Sequence, residues 1–194
     1  DPPISLSADP SGGEAAVNTY TVGPQRVPAV AMRPDNSFVV VWESGNFFGC
    51  SPSFPTGYCQ DGSGTGIYGQ RFDGSANPQG VEFSVNTFTD HSQHQPAVAA
   101  RPSGEFVVVW TTTDQPDSCC GFDVYLRRYD ANGTALDANG IRVHDTTSGN
   151  QQAPSIAMDA AGNFVVIWQA FDSTQDPSGD GIYGQRYDAS GNRL

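Results

Sequence analysis

The chain of 194 residues contains no lysine, and its nine arginines face twenty-one acids. The resulting formal charge of −12 excludes the basic surface that nucleic acid or an anionic membrane recruits, since both ligands carry the same sign as the chain. No run approaches the roughly 20 apolar residues that cross a bilayer as a helix, so membrane insertion is not expected. Nor does any segment keep an apolar period of 3.6, which argues against a helical core. Cysteine (4) and methionine (2) are scarce, whereas glycine (22) and proline (14) are abundant. That balance indicates a turn-rich, all-β chain.

Catalytic signatures are missing as well. The sequence holds no G-x-S-x-G, no H-E-x-x-H and no phosphate-cradling glycine loop. Glycoside hydrolysis needs two opposed carboxylates, and although aspartate is plentiful no pair stands out. His91, His94 and His144 lie near repeat boundaries with no nucleophile signature beside them. The box Ser-x-Asp-x-Gly-x-Thr-Trp of sialidase propellers is absent too. The expectation is a protein that is not an enzyme.

What is present is a threefold repeat. Phe38-Val39-Val40-Val41-Trp42 returns as Phe106-Val107-Val108-Val109-Trp110 and as Phe164-Val165-Val166-Ile167-Trp168. Short β-branched and aromatic runs, apolar at nearly every position, read as strands buried on both faces, with Trp42, Trp110 and Trp168 as core anchors. Each run follows a turn signal and an earlier apolar piece such as Pro28-Ala29-Val30-Ala31-Met32, which gives three hairpins. A variable loop and a third strand follow, as in Gly66-Ile67-Tyr68-Gly69-Gln70-Arg71-Phe72, and then a polar turn and a fourth strand.

In the third repeat the chain stops at Leu194, where a fourth strand is due. The segment Glu14-Ala15-Ala16-Val17-Asn18-Thr19-Tyr20-Thr21 matches Glu82-Phe83-Ser84-Val85-Asn86-Thr87-Phe88-Thr89 with no three strands before it. Its strand, including Glu14, Val17, Asn18 and Tyr20, is therefore expected to complete the last sheet, within one chain or between chains. The fold class read from this is all-β, with three tandem four-stranded antiparallel sheets, propeller-like or solenoid-like. Residues 1–13 form an arm or linker, and residues 14–194 form one three-repeat domain, divided near 17–84, 85–142 and 143–194. Three sheets are fewer than a propeller usually has. They suit a rare compact ring, half of a ring shared by two chains, or a stack that continues from molecule to molecule.

Cys50 and Cys59 bracket an insertion in the first repeat, while Cys119 and Cys120 are adjacent in the second. Their spacing fits no zinc pattern, and disulfides in an oxidising extracellular setting are expected. Cys50 with Cys59 would staple the loop, and Cys119 and Cys120 pair with each other or with the first two. A start at Asp1 without methionine reads as a processed product. Seventeen aspartates against four glutamates fit turn chemistry, cation binding or adaptation to salt. Asp172, Asp176 and Asp180 form the better calcium candidate, ahead of the loop at Asp61.

Arg71, Arg128 and Arg186 each precede an aspartate by two residues, at Asp73, Asp130 and Asp188. An ion pair on one strand face or a guanidinium bonding loop carbonyls explains them. Tyr20, Phe47, Phe48, Phe54, Tyr58 and Phe122 crowd the loops, where aromatic rings stack on sugars or pack a subunit contact. Asn132-Gly133-Thr134 is a glycosylation sequon.

The combination Gly-Ile-Tyr-Gly-Gln-Arg-Tyr-Asp, Val-Asn-Thr, Pro-Ala-Val-Ala and Phe-Val-Val-Val-Trp resembles a tandem repeat of large secreted and surface proteins of bacteria, where it sits beside calcium-binding and cadherin-like modules. The resemblance spans roughly residues 14 to 194 and implies an extracellular structural or adhesive role. Leu126-Arg127 departs from the Gly-Gln seen at Gln70 and Gln185. The expected function is a structural subunit of an extracellular surface assembly or fibre, polymerising by exchange of terminal strands with copies of itself. A carbohydrate-binding lectin, with surface glycans as partners, and a fragment of a calcium-dependent adhesin are the alternatives.

Overall fold

The computed structural model describes residues 14–46, 59–113, 121–146, 149–171 and 179–194. Every regular element among them is a β-strand. The first sheet runs β1 (Gln25–Met32), β2 (Phe38–Gly45), β3 (Thr65–Phe72) and β4 (Pro78–Ser84), each antiparallel to the next. The second repeats this order with β5 (Gln93–Ala100), β6 (Phe106–Thr113), β7 (Phe122–Tyr129) and the two-residue β8 (Ile141–Arg142). The third has only β9 (Asn150–Met158), β10 (Phe164–Phe171) and β11 (Asp180–Tyr187) among the described residues. Consecutive first strands contact one another, β1 with β5 and β5 with β9. The sheets thus lie side by side as propeller blades do.

Alternation along the central strand of each sheet makes the core. Residues 38, 40 and 42 and their counterparts point to the preceding side, and residues 39 and 41 to the following side. Val39, Val41 and Ile67 of the first sheet therefore meet Phe106, Val108, Trp110, Tyr125 and Tyr129 of the second. Val107, Val109, Val124 and Leu126 of the second meet Phe164, Val166, Trp168 and Tyr187 of the third. Each such fully buried side chain contributes about 1.5–3 kcal/mol, so these two junctions carry most of the packing energy. Sequence reading expected all three central strands to be buried on both faces. That holds for β2 and β6, but β10 alternates between buried and exposed positions. Nothing among the described residues covers its following side.

The first strand of every sheet carries the same irregularity. Val27, Gln95 and Ala153 adopt left-handed φ of 47°, 54° and 52°, each just before a proline, where the register with the neighbouring strand shifts. Such a bulge frees an amide, and the preceding sheet uses it. The Gln95 N–H donates to the Glu43 carboxylate (2.7 Å), and the Ala153 N–H donates to Oε1 of Gln95 (3.0 Å). Burial raises the Glu43 carboxyl above the usual carboxylate range, and the Gln95 amide acts against that shift.

One expectation is corrected here. Within one chain residues 14–21 form no strand and lie against the first sheet, so of the two ways expected to complete the last sheet the intramolecular one does not occur. Val17 packs on the cluster Val40, Trp42, Tyr68 and Phe72, and the Thr19 amide and hydroxyl both donate to Glu82 (2.8 and 2.9 Å). The resemblance to residues 82–89 identifies which part of a repeat the segment is. Its partner is set by the apolar face it covers.

Candidate assembly surface

Where one sheet hands over to the next, a Val-Asn-Thr segment acts as the coupling. After β4, the Val85 N–H donates to the Ile67 carbonyl (2.7 Å) while Oδ1 of Asn86 accepts from the Ile67 N–H (2.7 Å). Nδ2 of Asn86 then reaches forward to the Phe88 carbonyl and to Oε1 of Gln93 on the second sheet, both at 2.9 Å. The carbonyl of Val85 accepts from the Tyr129 hydroxyl (3.4 Å) and from Nη1 of Arg127 (2.9 Å), again on the second sheet. One residue pair therefore extends its own sheet and grips the next.

The second junction repeats the device with other residues. The Val143 N–H donates to the Val124 carbonyl (2.9 Å), and the Val143 carbonyl accepts from the Tyr187 hydroxyl (3.3 Å) and from Nη2 of Arg193 (2.8 Å). His144 stands in the place of Asn86, its Nε2 accepting the Val124 N–H (3.2 Å). Its Nδ1 lies 2.6 Å from the Thr146 carbonyl and so carries the ring proton. Asp123, buried like the histidine, brings a carboxylate oxygen to 3.2 Å from Nε2. The substitution is visible on aligning Val143-His144 with Val85-Asn86, but the two-sided role of the pair is not. The departure at Arg127 also acquires a purpose, since Arg193 serves the equivalent carbonyl from a different position.

The tryptophans sit beneath these couplings. Nε1 of Trp42 donates to Gln25 (2.8 Å) and Nε1 of Trp168 to Gln151 (3.1 Å). Nε1 of Trp110 is buried with no acceptor among the described residues, because Asn86 has claimed Oε1 of Gln93. All three rings are buried as expected, at 4, 1 and 7 % exposure.

Arg71 and Arg128 bond loop carbonyls and not the acids at i+2, while Arg186 is exposed. Nη1 of Arg71 donates to the Ala131 carbonyl in the turn of the next sheet (3.1 Å), and Nη1 of Arg128 to the Ser190 carbonyl. Asp73, Asp130 and Asp188 accept from amides of their own turns. Arg128 forms its ion pair with Asp137 (2.6 Å).

The third sheet presents the open half of this coupling. In β11 the register with β10 matches that of β3 with β2, placing Ile182 where Ile67 and Val124 stand. The Ile182 N–H and C=O thus point away from β10, along an edge that no strand pairs among the described residues. The carbonyl of Arg186, two positions on in the same phase as Gly184, accepts from the Leu194 N–H (2.9 Å), which confirms the direction. Beside this edge lies a cavity of about 290 Å³ lined by Val143, His144, Gln151, Trp168, Tyr183 and Gln185. In the second sheet Gly140 rests against Trp110 and Tyr125 at the corresponding place. On the following side of the third sheet Ile167 and Ile182 are 45 and 74 % exposed.

Of the remaining sequence candidates, Cys59 is buried and disulfide-bonded, while Cys50, Cys119 and Cys120 fall outside the described residues. Asp172 and Asp176 do so too; Asp180 opens β11, and no group of metal-ligating side chains occurs among the described residues. Phe47, Phe48, Phe54 and Tyr58 are likewise outside. Phe122 is half-buried and edge-on to His94 (5.3 Å), whose burial pushes its imidazole down to about 4. Burial raises the Asp61 carboxyl. Asn132 is exposed in its turn, Glu14, Ala15 and Ala16 are exposed, and Tyr20 is half-buried. No described helix is long and apolar enough to cross a membrane.

No protein-family model matches the chain, nor does any curated protein sequence. Among solved structures it is similar to an endo-1,4-β-xylanase of Bacteroides thetaiotaomicron, with a TM-score of 0.47 and 7 % identity over 93 % of this chain and 62 % of that one. An endo-1,5-α-L-arabinanase of Thermotoga petrophila gives 0.45 and 13 % over 87 % and 41 %, and a thermostable family-43 glycoside hydrolase gives 0.49 and 13 % over 87 % and 56 %. The chain spans less than two thirds of the length of each. The expectation that the protein is not an enzyme is withdrawn: it rested on missing motifs, which exclude no activity, and the solved structures similar to the chain are glycoside hydrolases. At such identities they assign no residue of this chain a catalytic role.

Proposed function

We propose that the protein is a structural subunit of an extracellular assembly in which residues 14–21 of one copy add to the β11 edge of another. The observation that carries this reading is the pairing of two half-couplings in one chain. Val17 and Asn18 occupy the place of Val85 and Asn86 on the first sheet, with Nδ2 of Asn18 on the Tyr20 carbonyl (2.8 Å) as Asn86 is on Phe88 (2.9 Å). At the other end of the molecule, Ile182 offers the amide and carbonyl that such a pair binds. By the registers of β3 with β4 and β7 with β8, Ala16 would stand opposite Tyr183 and Ala15 opposite Gly184. Both alanines are exposed and small enough to enter the cavity beside Trp168. Main-chain hydrogen bonds of this kind supply affinity, and the side-chain pockets supply register. A contact between unlike ends does not close on itself, so it builds a filament or a large ring.

Electron microscopy and light scattering of the full chain over a range of concentrations test this. Elongated particles that grow with concentration are expected, and Asn18→Ala should shorten them by removing the acceptor for the Ile182 amide. Particles of one size at every concentration would sink the proposal.

A second reading is a carbohydrate-binding protein, favoured by the same cavity, since Trp168 and Tyr183 supply ring faces and Gln151, His144 and Gln185 supply polar groups. It requires binding on a glycan array that Tyr183→Ala abolishes without changing particle size.

A further inference from the structure

We propose that the third sheet holds a second copy at another point, where the cleft under Arg186 receives the turn Asp73–Ala76 of that copy. The inference rests on the strand-addition reading but concerns a separate surface, at the opposite end of β11 from the Ile182 edge.

A cleft of about 590 Å³ lies on the following side of the third sheet, lined by Met158, Asp159, Phe164, Val165, Arg186 and Leu194 among others. At both internal junctions the turn after the third strand of the next sheet reaches over the matching surface, leaving a cavity of about 170 Å³ at the second. Arg71 donates to Ala131 in one such turn and Arg128 to Ser190 in the other. The leading aspartate of each turn, Asp130 or Asp188, also acts electrostatically on that same arginine. Asp73 leads the first sheet's turn, and hydrogen bonds from Asn77 and Ser75 hold its carboxyl below the usual carboxylate range, so it is charged at neutral pH. A guanidinium on one end of the molecule and a fixed carboxylate with turn carbonyls on the other are complementary, in a chain whose bases are few.

The first turn departs from the other two at Gly74, where they have Ala131 and Ala189, and at Ala76, where they have glycine. Gly133 and Gly191 have φ of 83°, and their Cα hydrogens lie against the arginine, where a Cβ would collide with Arg71 or Arg128. The first turn carries Ala76 at that position, with φ of 62°. Its methyl group obliges the incoming guanidinium to shift, which a flexible side chain does at modest cost. The intermolecular joint is therefore a loosened copy of the internal ones, suited to reversible assembly.

Sedimentation equilibrium on the intact protein tests this with three variants. Arg186→Ala should weaken self-association about tenfold, and Ala76→Gly should strengthen it several-fold. Asn18→Ala weakens it through the other contact. If Asn18→Ala weakens association but Arg186→Ala and Ala76→Gly leave it unchanged, strand addition stands and the turn seat is wrong. If the wild-type protein does not associate at any concentration, both are wrong. Arg186 is on the exposed end of the third sheet, so its removal should leave the melting temperature unaltered, which separates lost contact from lost fold.

Discussion

The first and third sheets are made from the same strands, yet one ends the array and the other leaves it unfinished. On the preceding side of the first sheet, Trp42, Tyr68 and Phe72 are buried and Val17 lies on them. On the following side of the third, Ile167 and Ile182 are exposed, and among the described residues no strand pairs the outer edge of β11. The motif residues are common to both. The difference lies in single exchanges: Phe72 where the other sheets have Tyr129 and Tyr187, and Ala76 where they have Gly133 and Gly191. Repeats thus fix how a sheet folds, and a few positions outside the motif fix what its faces meet.

Substitutions can sharpen that contrast, beginning with the largest effect. Trp110→Ala, inside the first junction, should cost about 4 kcal/mol in chemical denaturation. Ile182→Ala, on the open face, should change stability by less than about 0.5 kcal/mol. Similar losses at the two sites would erase the distinction between a packed junction and a bare face.

Acid should act on the second junction through His94, which pairs with Thr111 on the face that carries Val107 and Val109. Its folded-state value of about 4 lies below the ordinary 6.5, so the unfolded chain binds a proton that the folded one refuses. Stability is full above pH 6.5 and declines as the pH falls toward 4, by up to about 3 kcal/mol. Replacing His94 with leucine should flatten that part of the pH profile, measured by urea unfolding at each pH.

Ala76→Gly should stabilise the monomer by about 1 kcal/mol, because glycine holds a left-handed φ without the steric cost of a Cβ. Gly133→Ala should do the reverse, since Arg71 occupies the space. A shared sign for the two exchanges, read from thermal melts, would contradict the left-handed backbone assigned to both positions. A change of similar or smaller size is expected from Phe72→Tyr. It adds a hydroxyl where Tyr129 and Tyr187 each bond a valine carbonyl, and should fasten residues 14–21 by about 0.5–1 kcal/mol, seen as slower amide exchange there.

The hairpins, the tryptophan core and the three-sheet order were legible because each is written in a short local pattern: a turn signal between two apolar runs, repeated. The bulges at Val27, Gln95 and Ala153 were not, since only the proline after each of them and the repeat spacing mark the place, and their purpose depends on Glu43 and Gln95 reaching across from another sheet. Residues 14–21 show the limit clearly. Their likeness to residues 82–89 named the right part of the repeat but not whether it serves its own chain or another; within the chain it lies on the first sheet, because packing is decided by surfaces far apart in the sequence. The arginines could be narrowed only to two roles from spacing, and the turn of the adjacent sheet decided between them. Missing motifs misled most, for an absent signature excludes no activity.

Amide hydrogen exchange along β11, followed from dilute to concentrated protein, tests the central claim most directly. The Ile182 and Gly184 amides face the free edge, whereas Tyr183 and Gln185 face β10. Strand addition by residues 14–21 of a second copy should leave Tyr183 and Gln185 protected throughout and slow Ile182 and Gly184 only as concentration rises. Exchange at Ile182 and Gly184 that stays fast and independent of concentration would contradict it.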